Sequence, residues 1–118
     1  MVVYQGVSST GSVPMQDFNK MDMRVVKVVK AEKIPGATKI LKLTVDIGGN
    51  NFRSMVTGGA EFYKSEYFEG KKFIALVNLE PKRISGVESQ GMLLAADLNG
   101  KPIWLIIDGD APVGTKVR

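Results

Sequence analysis

The chain contains no cysteine and no histidine. The first absence excludes disulfides and thiolate metal sites. The second removes the usual general base at neutral pH, the commonest zinc ligand and every histidine-dependent triad. No window of about 18 apolar residues occurs, so no membrane-spanning helix is expected. The opening MVVYQGVSSTGSVPMQ has neither the basic start nor the apolar stretch of a secretory signal. A cytoplasmic protein with no membrane partner is the expectation. Also missing are a phosphate-cradling Gly-x-x-x-x-Gly-Lys-Ser/Thr loop and any nucleophile beside a credible base. Asp97, Asp108 and Asp110 read as solvated hairpin ends and not as a cation site. These absences point away from an enzyme and toward a binding module that needs no cofactor and no metal.

What is present suffices for one domain. In 118 residues, 44% hydrophobic and 24% charged, there is enough apolar surface for a core and too much for wholesale disorder. The formal charge of +4 is unevenly spread. Residues 20–42 carry a net +5 and residues 71–83 a net +3, while the rest is mildly acidic. If folding joins these two stretches, they make a positive patch suited to a polyanion; a solvated lysine-rich surface is the alternative.

Residues 1–15 lack periodicity and read as a loose tail, with the globular domain over 16–118. Met23–Lys30 is β-branched, but its charges recur every third residue, which predicts a bulged or strongly curved strand. Pro35 and Gly36 mark a turn. Leu41, Leu43, Val45 and Ile47 alternate with Lys42, Thr44 and Asp46, the pattern of a half-buried strand. Gly48–Asn51 is hairpin chemistry leading into Phe52–Thr57. Ala60–Phe68 is expected to be a short helix whose aromatic residues plug the core; a base-stacking role is the alternative. Strands follow at Lys72–Leu79 and Met92–Asp97, and Asn99-Gly100 turns the chain into Pro102–Ile107. This order predicts an all-β fold: a five-stranded oligonucleotide-binding (OB-fold) barrel with a short helix between strands three and four and extra terminal elements. Other small barrels fit the pattern as well.

Residues 78–96 join strands four and five, beside the nucleic-acid face of such a barrel. Lys82 and Arg83 bring charge there, and Gly86 and Gly91 bring backbone freedom. Asn78, Ser89 and Gln90 bring hydrogen-bonding groups, and Met92 a flexible apolar contact. A polar hairpin with two turn glycines is the structural reading of the same residues.

Several pieces of the chain resemble a known family. They are Asp22-Met-Arg-Val25, Lys39-Ile-Leu-Lys-Leu43, Val45-Asp-Ile-Gly48, Asn78-Leu79 with Pro81 and Lys82, Gly86-Val87, Ser89-Gln-Gly-Met-Leu-Leu-Ala95 and Pro112-Val-Gly-Thr-Lys-Val117. The family is the tRNA-binding domain found in a free bacterial tRNA-binding protein, at the C-terminus of many methionyl-tRNA synthetases and in endothelial-monocyte-activating polypeptide. The resemblance covers about Asp17 to Val117, and in length the chain looks most like the separate beta subunit of an archaeal methionyl-tRNA synthetase. Two loops depart from the family: Ile34-Pro-Gly-Ala-Thr-Lys39, and Thr57-Gly-Gly59.

The resemblance implies a non-catalytic protein that grips tRNA by shape and backbone and assists a methionine–tRNA ligase, with the methionyl-tRNA synthetase catalytic subunit as a candidate partner. Carried over by motif, Ser89 and Met92 are the first RNA-contacting residues. Asn78, Lys82, Arg83 and Gln90 come next, then Lys33 and Lys39. It also implies a homodimer, for which the uninterrupted apolar run Ile103–Ile107 offers a second face. The rival reading is a homodimeric peptide-binding export chaperone of the CsaA type, which shares the barrel and a Pro-Lys-Arg-Ile stretch. Those chaperones usually carry Glu where this chain has Gln90, and an acid there would repel phosphate.

Overall fold

The computed structural model describes residues 11–118. The first ten residues of the expected tail lie outside the described part. Met15 opens a helical turn, α1 (Met15–Phe18). Three long strands follow: β1 (Met23–Lys33), β2 (Ile40–Asp46) and β3 (Phe52–Gly58). After a single helical turn, α2 (Ser65–Phe68), the chain forms β4 (Lys72–Leu76), β5 (Lys82–Ile84), β6 (Val87–Ser89) and β7 (Met92–Leu93). The hairpin β8 (Ala95–Leu98) and β9 (Lys101–Trp104) precedes a last short strand, β10 (Lys116–Val117).

The main sheet runs β3-β2-β1-β4-β7 with β10 beside β1. It curls into a nearly closed five-stranded barrel of the oligonucleotide-binding type, with α2 between the third and fourth strands. Strand β1 serves two partners. Its first half pairs with β4 (Arg24 opposite Ala75) and its second half with β2 (Ala31 opposite Leu43). The register slips between Val28 and Lys30, leaving Val29 as a bulge with its side chain in solvent. That bulge bends the strand from one partner to the other, as the three-residue charge spacing predicts.

The alternation along β2 sends Leu41, Leu43 and Val45 into the core, where they meet Val26, Val28, Met55, Phe73 and Leu93. Phe68 is fully buried and plugs the barrel, edge-on to Trp104 at 5.3 Å between ring centres. The helix is shorter than the expected Ala60–Phe68. The N–H groups of Phe62 and Tyr63 both donate to the Gly59 carbonyl, so residues 59–63 form a separate turn. That turn directs Tyr63 inward, where its hydroxyl donates to the Pro102 carbonyl, and leaves Phe62 half exposed. The expected strand Met92–Asp97 is two pieces, because after Leu93 the chain leaves the barrel for the outer β8–β9 hairpin.

A polar cluster pins the start of β1 to β10. Asp22 accepts from Arg24 at 2.8 and 3.0 Å and from Lys116 at 3.1 Å. The Arg24 hydrogen bond, supported by Lys116, outweighs partial burial and holds the Asp22 carboxyl below the ordinary aspartate range. A depressed carboxyl adds stability that is fully present above the unfolded pKa and lost as pH falls through the folded value. The stability gap between the wild type and Asp22→Asn is therefore expected to be widest at neutral pH and to close below about pH 4. Thermal melts between pH 7 and 3 check this; a constant gap would remove the cluster from the acid response.

Candidate nucleic-acid interface

The barrel closes between β3 and the segment after β6, and it does so mainly through side chains. Strand β3 is the sheet edge, with amide groups that need partners. The Ser89 hydroxyl accepts from the Val56 N–H at 3.0 Å and donates to the Gly91 carbonyl at 3.1 Å. The Gln90 carbonyl accepts from the Ser54 N–H at 3.1 Å, and the Gln90 N–H donates to the Ser54 carbonyl at 2.8 Å. Arg53 adds a bond to the Val77 carbonyl at 2.7 Å. Ser89 and Gln90 thus do the work of a pairing strand.

Ser89, expected to contact RNA, is placed at this seam and also lines the groove beside it. Ser89 is 6% exposed and its hydroxyl is occupied in both directions. Gln90 is half-buried and its carbonyl end is likewise committed to β3. Asn78 is exposed, yet it accepts from the Asp22 N–H and donates to the Lys20 carbonyl. All three help to hold the surface around the groove in shape.

Met92 is different. It is 46% exposed and lines a groove of about 550 Å³ with Val56, Leu79, Glu80, Pro81, Lys82, Ile84, Ser89 and Gly91. Lys82 stands opposite Ser89 on the β5–β6 hairpin and borders this groove. Arg83, next along, is exposed and sits opposite Glu88, on the other face of the same hairpin. Across the seam, Lys42 pairs in register with Val56, which places it beside the groove. No motif singled out Lys42; its alternation within β2 was the available signal.

The two basic stretches meet along β1 and β4, where Lys27 stands opposite Lys72, and not at the groove. Arg24 is held by Asp22, and Lys30 lies 3.5 Å from Glu32. The Lys71 ammonium sits 3.4 Å from the centre of the Tyr67 ring, and Lys72 bonds Asp110 and the Ala111 carbonyl. Lys72 is at the opposite end of β4 from Leu76, the partner of Met92. Only Lys42 from the first stretch and Lys82 from the second meet at the groove. Lys33 lines a separate hollow of about 630 Å³ with Thr38, Tyr63, Lys64 and Glu66, and Lys39 is exposed near it, its carbonyl bonded to the Ala60 N–H. Glu66 is held in its ionised form by backbone N–H and Ser65 hydroxyl donors at the start of α2.

A five-stranded barrel with an accessible groove bordered by Lys82 and Glu80 beside its fourth and fifth strands has the form of an oligonucleotide-binding module. The family model described as "Putative tRNA binding domain" matches residues 23–116, and the chain belongs to that family. A methionine–tRNA ligase of Methanocella arvoryzae is 46% identical over 106 residues, 90% of this chain but 15% of the ligase. The chain thus spans about a sixth of the length of the ligases it matches. Among solved structures, a methionyl-tRNA-synthetase-related protein from Pyrococcus horikoshii superposes with TM-score 0.85 and 46% identity, covering 92% of this chain and 99% of that one. The chaperone CsaA of Bacillus anthracis superposes with TM-score 0.81 and 27% identity, over 92% of this chain and all of the other.

Proposed function

We propose that this chain is a non-catalytic, cytoplasmic tRNA-binding protein that works with a methionyl-tRNA synthetase, as its beta subunit or as a factor supplied in trans. The groove at Met92 carries this reading: an accessible apolar strip with Lys82 and Lys42 beside it, within the segment matched to the tRNA-binding family. Such a surface grips ribose-phosphate and base faces without reading a Watson–Crick edge. Met92, Lys82, Lys42 and Arg83 are the proposed contacts, with Lys33 and Lys39 as outlying cations. Ser89, Gln90 and Asn78 hold the groove in shape. A weak tRNA site joined to a catalytic subunit raises local substrate concentration without new chemistry. The exposed Leu105, Ile106 and Ile107 that follow β9, Ile106 being 71% exposed, support a homodimer through that segment.

The apolar lining by Leu79, Pro81 and Ile84, together with the likeness to CsaA, favours peptide binding as a second reading. Titration against unfractionated tRNA at several salt concentrations, with an unfolded polypeptide as competitor, separates the two. The expected result is binding to many tRNAs that falls steeply with salt and is not displaced by polypeptide. Salt-insensitive binding, or displacement by polypeptide at equal affinity, would favour the chaperone.

A further inference from the structure

The groove at Met92 continues past it. Val56 and Met92 also line a second hollow of about 360 Å³, bounded by Gly58, Ala95, Pro102 and Trp104. Gly58, Ala95 and Pro102 then line a third, of about 280 Å³, which reaches Gly59 and Gly100. The three form one trench along the β3 edge. Gly58 lies on the same face of β3 as Val56, and a Cβ there would meet nothing within 4 Å, so its missing side chain leaves the middle of the trench open. Beyond Gly59, outside the residues that line the trench, Phe62 hangs from the turn that begins there, its ring half exposed while Phe68 is buried and the Tyr63 hydroxyl donates to the Pro102 carbonyl. The Lys101 ammonium stands 5.9 Å from the ring centres of both Phe62 and Tyr63.

We propose that Phe62 and Lys101 form a second subsite of the tRNA interface, in which one unpaired base stacks on the Phe62 ring while Lys101 meets the adjoining phosphate. This rests on the tRNA reading given above. An aromatic ring left in solvent beside a cation is the usual arrangement for holding unpaired nucleotides, because every base presents a π-face. The local charge argues for a base and not a phosphate as the main ligand. Asp97 lines the same end, with its carboxylate accepting the Gly100 N–H at 2.8 Å, and Glu61 adjoins Phe62 in sequence. A neutral base face tolerates those acids, whereas a bare phosphate on Phe62 would not.

The test is tRNA affinity as a function of salt for the whole chain and for Phe62→Ala, Phe62→Tyr and Gly58→Leu, with sedimentation velocity on each. Phe62→Ala is expected to bind about 5- to 150-fold more weakly, the range for losing one stacked base. Its salt slope should not change, since no phosphate contact is lost. Phe62→Tyr should bind like the wild type, and Gly58→Leu should lose affinity by filling the trench. Wild-type affinity in Phe62→Ala, with the wild type binding tRNA, removes the subsite and leaves the proposed function standing. A wild type that binds no tRNA overturns both. A loss accompanied by a change in oligomeric state, or a loss of polypeptide binding instead of tRNA binding, also overturns the subsite.

Discussion

Replacing Gly91 by Ala should lower stability by about 3 kcal/mol or more, a drop of roughly 10 °C or more in Tm for a domain of this size. A Cβ at Gly91 would fall 2.8 Å from the Leu76 carbonyl oxygen and 2.6 Å from the terminal methyl of Met55. The methyl belongs to a fully buried core side chain, and the oxygen is backbone of β4 next to its pairing with β7. The methyl ends a flexible side chain and can give, but the Leu76 oxygen cannot move without opening the barrel seam. The control is Gly58→Ala, where a Cβ meets nothing and the backbone is ordinary strand, so it should be neutral or stabilise by a few tenths of a kcal/mol. Comparable melting curves for the two variants would show that the seam is looser than its geometry indicates. Ser89→Ala should fall between them, since it strips the Val56 N–H of its acceptor at a cost of about 1–3 kcal/mol.

That ordering explains why part of the candidate site was hidden in the sequence. The apolar alternation of Leu41, Leu43 and Val45 is a local signal, and it locates β2 and its buried face directly. The three-residue charge spacing in β1 likewise signals the bulge at Val29. Ser89 and Gln90 are another matter. Their chemistry advertises donors and acceptors, but whether these face a ligand or an edge strand depends on residues more than 30 positions away, Ser54 and Val56. Burial and partnership are non-local, so a polar motif beside a groove reads as contact when it is scaffold. The basic tracts mislead for the same reason. Net charge counts Arg24, Lys71 and Lys72, whereas the fold commits them to Asp22, Tyr67 and Asp110. Conversely, Phe62 belongs to an aromatic cluster that reads as core, and only the turn at Gly59 turns it outward.

The largest functional effect is expected from Lys82→Ala combined with Arg83→Ala. Each phosphate neutralised contributes roughly 0.7 to 0.9 to the dependence of log affinity on log salt, so losing two should flatten that slope by about 1.4 to 1.8. Counterion release vanishes near 1 M salt, so at 0.1 M the same loss corresponds to about a 40-fold weakening, shared by all tRNAs. Lys82 should account for the larger part, because it borders the groove while Arg83 occupies the other face of the hairpin opposite Glu88. Lys71→Ala with Lys72→Ala removes the same formal charge from the far end of β4, where the cations are already engaged by Tyr67 and Asp110. If the tRNA sensed only net charge, the two double variants would weaken binding alike. If it sits in the groove, the slope changes in the first and holds in the second. Equal slopes for both, measured by filter binding from 50 to 300 mM salt, would detach tRNA recognition from the Met92 groove and return the site to the general surface.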